Sequence, residues 1–246
     1  MKILRIIYSI LINFCIPVLF LRSIIKATDK KLYKKYWKEF FALDKITSMK
    51  HRVWLHGVSL GESKLALLLA DQLHVKHPQY KILITCSTEV ARKYLITQTE
   101  NIEFIQARFF SYDNSIIISK FIKKLKPKIA IFIEKEIWPN YIYLLSQAKI
   151  PLFLVNARLT ANSLKRYKRF NKFNLISNML NKYNAIIVQN TTDLIAFKSL
   201  GATNNCYYGA NMKFDMSLKI AETIKQQDLK ILQQQIKQRK VCLLYT

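Results

Sequence analysis

Apolar and polar positions alternate along most of the chain in an order that predicts repeated strand and helix units. From residue 52 onward, short continuous apolar runs, typical of strands buried on both faces, alternate with longer amphipathic stretches. The strands are predicted at 53–58, 81–86, 129–133, 151–155 and 185–188, with weaker ones near Glu103 and Cys206. The helices are predicted at 62–77, 89–95, 114–125, 139–147, 163–180 and 192–200. This order predicts an α/β fold with a Rossmann-like, doubly wound parallel sheet.

The first strand is followed by a turn that two glycines flank, Gly57 and Gly61. The turn contains no GxGxxG sequence, and no Walker A sequence occurs in the chain. The sequence therefore gives no support to a dinucleotide site or a P-loop in this domain.

The N-terminal segment, residues 1–26, is apolar and contains no acidic residue. Residues 6–21 are apolar apart from Tyr8, Ser9 and Asn13, and this run is slightly short of the roughly 20 residues that span a bilayer core. Pro17 also interrupts it. We expect either a short membrane-spanning anchor or a helix that is buried or lies in the membrane surface. No small-residue cleavage site follows, which argues against a cleaved signal peptide.

The segment that follows, residues 27–51, is rich in lysine and aromatic residues. By the positive-inside rule, this excess of cations predicts that the body of the protein lies in the cytoplasm. A basic, aromatic segment also suits contact with anionic lipid headgroups. The cations that lead into it are Lys26, Lys30, Lys31, Lys34, Lys35 and Lys38.

Composition adds one surface property to this picture. The chain has 246 residues, of which 51% are hydrophobic, and its formal net charge is +25. Such content excludes a disordered chain, while the charge fits nucleic acid, a membrane or a phosphorylated substrate without choosing among them. No acidic residue lies between Glu136 and Asp193, so one region of the surface is predicted to be strongly positive.

Two carboxylates follow predicted strands, at the edge of the sheet where ligands bind in this fold. Glu62, in HGVSLGESK, begins a helix whose dipole favours the ionised form, so it is a candidate general base. Glu134, in IFIEKEIWPN, closes an apolar strand, where an unpartnered charge would cost several kcal/mol. The alternatives are a helix N-terminal charge for Glu62 and a structural ion pair for Glu134. Glu136 could be an ordinary first-turn acid that precedes the helix that Pro139 begins.

Polar and basic residues follow the later strands. Lys213, in GANMKFD, is predicted to lie at the same edge as the two glutamates, while Asn156 and Arg158 follow another strand. Arg158 could hold a phosphate or a carboxylate. The alternative for Lys213 and Arg158 is an ordinary solvated residue. His56 is predicted to pack at a strand end, and the four cysteines form no CxxC pair, so the sequence predicts no metal site.

Four ordered motifs resemble one family of enzymes. HGVSLGE, IEKEIWPN, PLFLVNARL and GANMKFD resemble, in order and spacing, the N-terminal half of 3-deoxy-D-manno-octulosonic acid (Kdo) transferase. Members of that family are membrane-anchored glycosyltransferases of the two-domain GT-B type. The resemblance extends from the N-terminal segment to about Asp215.

The resemblance implies transfer of Kdo from CMP-Kdo to a phosphorylated lipid A precursor at the cytoplasmic face of the inner membrane, without a metal or cofactor. Glu62 matches the general base of the family. Glu134 and Lys213 match residues assigned to stabilising the transition state. Four further residues within or next to the motifs are expected to bind the acceptor: Ser59, Gly61, Asn156 and Arg158.

The resemblance also implies a division of the chain. Residues 1–26 are expected to form the anchor, 27–51 a basic amphipathic connector and 52–215 the acceptor-binding domain. Residues 216–246 are expected to form a linker helix and an apolar strand at 241–245, which either adds to the existing sheet or, as we favour, is the first strand of a second domain. Because the family binds CMP through that second domain, we expect the chain to be an incomplete enzyme, either a fragment or one product of a split gene.

Two other classes of function remain as alternatives. A basic, membrane-attached domain could bind anionic lipid or a partner without catalysis, or be an inactive remnant, and would not need Glu62. A nucleic-acid-binding protein is compatible with the charge, but the chain has no RRM, KH or zinc-finger signature and carries an apolar N-terminus. We therefore expect no nucleic-acid partner.

Overall fold

The structure is a computed structural model that describes residues 2–44, 52–171 and 174–213. Within those ranges the strands are β1 (Arg52–His56), β2 (Lys81–Cys86), β3 (Ile105–Phe109), β4 (Ile129–Ile133), β5 (Leu152–Ala157), β6 (Ala185–Val188) and β7 (Cys206–Tyr208). The helices are α1 (Lys2–Lys26), α2 (Lys30–Phe40), α3 (Leu60–Lys76), α4 (Glu89–Thr99), α5 (Ser115–Leu125), α6 (Pro139–Gln147), α7 (Ala161–Phe170), α8 (Leu175–Leu180) and α9 (Thr191–Ser199).

The strands form one parallel sheet in the order β3-β2-β1-β4-β5-β6-β7. Every residue of β1 and nearly every residue of β2 and β4 is buried, because these central strands are covered on both faces. The predicted α/β, doubly wound parallel sheet is confirmed. The two weak strand signals, near Glu103 and Cys206, correspond to β3 and β7. These are the two outermost strands of the sheet, and they are less apolar than the central strands.

The centre of the core is an aromatic cluster around Trp54 of β1. Its ring centroid lies 5.0 Å from that of Phe121, 5.1 Å from that of Phe132 and 5.5 Å from that of Tyr141. The indole Nε1 donates a hydrogen bond of 2.9 Å to Thr85 Oγ1, which satisfies its polar atom inside the core. This cluster joins α5 and α6 to the strands that lead into the candidate site.

One predicted helix, at 163–180, was wrong, because α7 ends at Phe170 and α8 begins at Leu175. Asn174 adopts a left-handed conformation with φ of 54°, which a continuous helix does not tolerate. The side chain of Asn171 accepts hydrogen bonds of 3.0 and 3.1 Å from the backbone of Ile176 and Ser177, and so caps the new helix. A side-chain bond of this kind leaves no trace in hydrophobic periodicity.

The basic helix α2 packs its apolar and acidic residues against the sheet. Phe40 stacks on Phe109 of β3 with centroids 4.6 Å apart. The buried Glu39 carboxylate pairs with Arg92 at 2.9 Å and accepts a 2.5 Å hydrogen bond from the backbone of Phe109. The lysines of α2 are exposed. This helix is therefore firmly attached to the domain while its positive charges face solvent.

The described residues up to Asn211 belong to one compact unit, and the chain from Met212 onward is assigned to a second. Of the second unit, the structure describes Met212 and Lys213. The linker helix and the strand at 241–245 that the sequence predicts lie outside the described residues.

Candidate functional site

The site lies where the winding of the sheet changes direction. From β1 the chain continues to β2 and β3 on one side, and β4 then returns to pair with the other side of β1. At such a switch point the loops that follow the two strands diverge and leave a crevice at the carboxyl ends. Glu62 follows β1 and Glu134 follows β4 directly, so both predicted acids lie at this crevice.

Local packing fixes the position of Glu62 at the start of α3. The side chain of Ser59 accepts the backbone N–H of Glu62 at 3.4 Å, and Glu62 Oε2 accepts those of Val58 at 2.5 Å and Ser59 at 3.2 Å. Ser59 and Glu62 thus form a capping box. A Cβ atom at Gly57 would lie only 2.8 Å from Glu62 Cβ, so the close approach of helix and strand requires glycine there.

Burial raises the pKa of Glu62 above its ordinary value, and the negative charges of Glu136 and Glu134 raise it further. The backbone hydrogen bonds from Ser59 and Val58 act in the opposite direction but are weaker in sum. The expectation that the helix N-terminus leaves the ionised form favoured is therefore corrected: desolvation is the larger effect at a side chain that is 7% exposed. A carboxylate with a raised pKa is suited to accept a proton.

Glu134, directly after β4, and Asn156, in β5, both have a backbone conformation that L-residues rarely adopt. Their φ angles are 69° and 53°. Ile133 and Val155 pair in register, the backbone of Glu134 donates to Val155 O at 2.9 Å, and the register of β5 shifts between Leu154 and Ala157. Both side chains are buried. Such strained residues persist where the surroundings hold them, often at functional sites.

Glu136 is a residue whose importance the sequence analysis missed. The sequence suggested no more than an ordinary first-turn acid, but Glu136 precedes α6 by three residues and is only 6% exposed. Its Oε2 accepts a 2.5 Å hydrogen bond from Trp138 Nε1 and lies 3.6 Å from His56 Nε2. Its backbone carbonyl accepts the hydroxyl of Tyr183 at 2.5 Å. The sequence does show a second glutamate two residues after Glu134 and just before a tryptophan. Only the burial of Glu136 in the folded chain shows that it belongs to the site.

His56 packs at the end of β1, and this prediction is confirmed. Its ring is fully buried and stacks on Phe110 with centroids 3.7 Å apart, while Nδ1 lies 2.9 Å from Thr85 Oγ1. Across the described ranges, no group of three or more His, Cys, Asp or Glu side chains has the arrangement needed to hold a metal ion.

The remaining predicted residues are placed less centrally. Gly61 is exposed in the first turn of α3, and a Cβ atom there would have Ser59 Oγ, at 4.0 Å, as its nearest neighbour. Arg158 is exposed just beyond β5 and lines a shallow groove with Gln189. Lys213 is exposed and belongs to the second unit, so its place at the same edge as the glutamates stays a prediction.

Comparisons with known proteins decide the family. The sequence profile described as "3-Deoxy-D-manno-octulosonic-acid transferase (kdotransferase)" matches residues 35–216 of this chain. The chain belongs to this Kdo transferase family. The resemblance drawn from the four motifs is thereby confirmed. The matched range contains Ser59 and Glu62 of the capping box, together with Glu134 and Asn156.

Individual relatives carry the same family name. The 3-deoxy-D-manno-octulosonic acid transferase of Rickettsia bellii is 31% identical over 242 residues, which cover 96% of this chain and 54% of the relative. That of Rickettsia felis is 37% identical over 163 residues, covering 66% and 34%. That of Aquifex aeolicus is 30% identical over 178 residues, covering 72% and 44%. The chain thus spans from about a third to about half of the length of these relatives.

Among solved structures, UDP-N-acetylglucosamine 2-epimerase from Rickettsia bellii is similar to this Kdo transferase family member. It is 15% identical, with a TM-score of 0.48, and the match covers 75% of this chain and 51% of the epimerase.

Proposed function

We propose that this chain is the acceptor-binding half of a glycosyltransferase that transfers Kdo from CMP-Kdo to a phosphorylated lipid A precursor in lipopolysaccharide biosynthesis. Membership of the Kdo transferase family supports the transferred sugar. The observation that carries the proposal is the buried Glu62, held at the switch-point crevice by the capping box with its pKa raised. A base in this position is what an acceptor hydroxyl requires for attack.

In the proposed reaction, Glu62 removes the proton from the acceptor hydroxyl. Both backbone donors bind Oε2, so Oε1 is the atom that receives the proton. The hydroxyl oxygen forms a bond to the anomeric carbon of Kdo, and the bond from that carbon to the CMP phosphate breaks, with the electron pair leaving on the phosphate. Glu134 would stabilise positive charge at the anomeric carbon, and Lys213 would stabilise the negative charge on the leaving phosphate.

The acceptor side of the crevice has polar and open positions for a phosphorylated sugar. We place the acceptor along Ser59, Gly61 and Asn156, with the exposed guanidinium of Arg158 available to a phosphate. The absence of a side chain at Gly61 allows close approach to the backbone next to Glu62. We place the CMP portion of the donor on a second domain, in the part of the longer relatives that this chain does not cover.

The proposed location is the inner membrane, with the body of the protein on the cytoplasmic side. The apolar helix α1 and the exposed lysines of α2 support attachment to an anionic membrane. The phosphorylated lipid acceptor would lie in that same membrane. A basic surface next to the crevice would therefore favour the acceptor by charge as well as by position.

The test is a Kdo transfer assay with CMP-Kdo and lipid A precursor. Membranes carrying the full chain are assayed alone and with the C-terminal half of the Rickettsia bellii relative. Glu62→Gln keeps a side-chain oxygen for the Val58 and Ser59 backbone donors but cannot act as a base. We expect transfer with the added half, and a loss of about 10²–10⁴-fold in Glu62→Gln.

The matched control is Glu103→Gln, which changes an exposed glutamate two residues before β3, at the opposite edge of the sheet. It should transfer Kdo as the unchanged chain does. If Glu62→Gln also retains activity within a few-fold, Glu62 is not the base. If no preparation transfers Kdo while the chain is folded and bound to membranes, a lipid-binding role without catalysis is the better account.

A further inference from the structure

The helix α1 has two opposite faces with different surroundings. One face points to the domain and includes Arg5, Tyr8, Ser9, Ile16 and Phe20, which lie on the same side of a helix. The other face is exposed, and its large apolar side chains are Ile7, Ile10, Leu11, Phe14, Val18, Leu21 and Ile25. Phe14 is 78% exposed and Val18 is 66% exposed, so this stripe is largely uncovered by the described part of the chain.

The first half of α1 is docked by its polar side chains. The Tyr8 hydroxyl donates to Asp113 Oδ2 at 2.8 Å, and Ser9 Oγ donates to Asn140 Oδ1 at 2.9 Å. The side chain of Asn114 donates to Asn13 Oδ1. Asp113 is itself buried and caps the start of α6, accepting hydrogen bonds from the backbone there. These bonds require α1 to lie against the protein and not to be surrounded by lipid.

The second half of α1 is docked by apolar contacts. Ile16 is only 6% exposed, and the ring of Phe20 lies 5.2 Å from that of Phe41 and 6.2 Å from that of Phe40. Just beyond the helix, Thr28 bonds Glu89 at the start of α4. The contacts therefore extend from the first half of α1 to the residues just beyond its C-terminal end, a span of about 30 Å from Tyr8 to Thr28.

These contacts follow one edge of the sheet. Asn140 follows β4, Asp113 follows β3 and Glu89 follows β2, and each lies in the segment just after the carboxyl end of its strand. The helix and the residues just beyond it thus contact segments that follow the carboxyl ends of β2, β3 and β4, at the same edge as Glu62 and Glu134. A helix docked along that edge cannot pass through a bilayer without taking the polar loops with it.

We propose that α1 is an in-plane anchor: it lies along the surface of an anionic lipid bilayer, with its exposed apolar stripe in the upper acyl layer and its other face docked on the domain. Exposed cations at its C-terminal end and on α2, among them Arg22, Lys26, Lys30 and Lys31, meet the headgroups. This geometry turns the carboxyl edge, with its crevice, toward the membrane. The inference rests on the membrane location in the proposed function and is independent of the transfer chemistry.

The experiment measures depth along the helix. The full chain carrying Ile7→Trp, Phe14→Trp or Ile25→Trp is bound to vesicles of phosphatidylglycerol and phosphatidylethanolamine brominated at different depths of the acyl chain. Quenching in the unsubstituted protein is subtracted. All three positions are exposed, so the substitutions leave the docked face intact. Val75→Trp is the matched control, at an exposed apolar site in the last turn of α3, toward the opposite edge of the sheet.

An in-plane helix gives the same shallow depth at residues 7, 14 and 25 and no quenching at residue 75. A spanning helix places residue 14 near the midplane and the other two, about 27 Å apart along the axis, near opposite interfaces. That gradient would overturn the in-plane anchor but leave the membrane location standing. Absence of vesicle binding would overturn both, while the effect of Glu62→Gln on Kdo transfer in detergent still tests the catalytic proposal separately.

Discussion

The close contact between Gly57 and Glu62 gives a prediction that does not depend on the function. In Gly57→Ala, the new Cβ atom would lie 2.8 Å from Glu62 Cβ, 2.9 Å from its backbone carbon and 3.0 Å from its oxygen. Ordinary carbon–carbon contact begins at about 3.5 Å, so the first turn of α3 must move. Two of the three obstacles are backbone atoms, which cannot rotate away.

The cost of such overpacking is about 1–3 kcal/mol of unfolding free energy. Urea unfolding of the full chain, followed by tryptophan fluorescence, measures it. Gly61→Ala is the matched control for stability: its Cβ would lie 4.0 Å from the nearest atom, and alanine is the better helix former. We expect Gly61→Ala to unfold as the unchanged chain does or to gain up to about 1 kcal/mol. Equal losses in both variants would refute the packing argument.

The same substitution tests the position of Glu62. A displaced first turn moves the carboxylate away from the acceptor hydroxyl, and misplacement by about 1 Å can cost about 10²-fold in rate. In the complemented transfer assay, under conditions where Gly57→Ala is folded, we expect a loss of at least about tenfold. Full activity with a shifted unfolding midpoint would show that Glu62 does not need its observed position.

Three further predictions follow from buried charges. Glu136→Gln removes a negative charge that raises the pKa of Glu62, so the acidic limb of the pH–rate profile should shift to lower pH; an unchanged limb would contradict the coupling. Burial raises the pKa of Asp113 from 3.8 to about 6. Between these two pH values the folded state holds a proton on Asp113 that the unfolded state has released. The unfolding free energy should therefore fall by up to about 3 kcal/mol as the pH rises from about 4 to 6. That loss should vanish in Asp113→Asn, as urea unfolding across this pH range would show. Glu39→Ala leaves a buried guanidinium unpaired and should lower the unfolding free energy by about 3–5 kcal/mol, whereas the exposed Glu103→Ala should change it by less than about 0.5.

Hydrophobic periodicity was sufficient to predict the sheet, because its central strands are buried on both faces and helices such as α5 and α7 are amphipathic. The bounds of β2, β4 and β6 agree with the prediction to the residue. The positions of Glu62 and Glu134 followed from the rule that ligands bind at carboxyl ends of parallel strands. The strand order then added what the sequence lacked, since only the pairing of β1 with β4 brings these two acids to one crevice.

The features that were missed depend on side-chain contacts that hydrophobic periodicity does not show. The burial of Glu136 follows from the nearby Trp138 and from His56 and Tyr183, which come from other parts of the chain. The break between α7 and α8 depends on a cap from the side chain of Asn171. The sign of the pKa shift at Glu62 depends on desolvation, which is a property of the folded surroundings and not of the helix start alone.

The polar residues of α1 are compatible with two interpretations of that segment, a membrane-spanning helix and a helix docked on the domain. In the sequence, Tyr8, Ser9 and Asn13 only weaken the case for a membrane-spanning segment. In the structure they lie toward the docked side of the helix and bond Asp113, Asn140 and Asn114, which follow β3 and β4. A spanning helix that exposed these groups to lipid would lose those hydrogen bonds without replacement. A helix docked along the carboxyl edge keeps them and still has an exposed apolar stripe, which in the arrangement we propose faces the membrane beside the crevice that receives a lipid-borne acceptor.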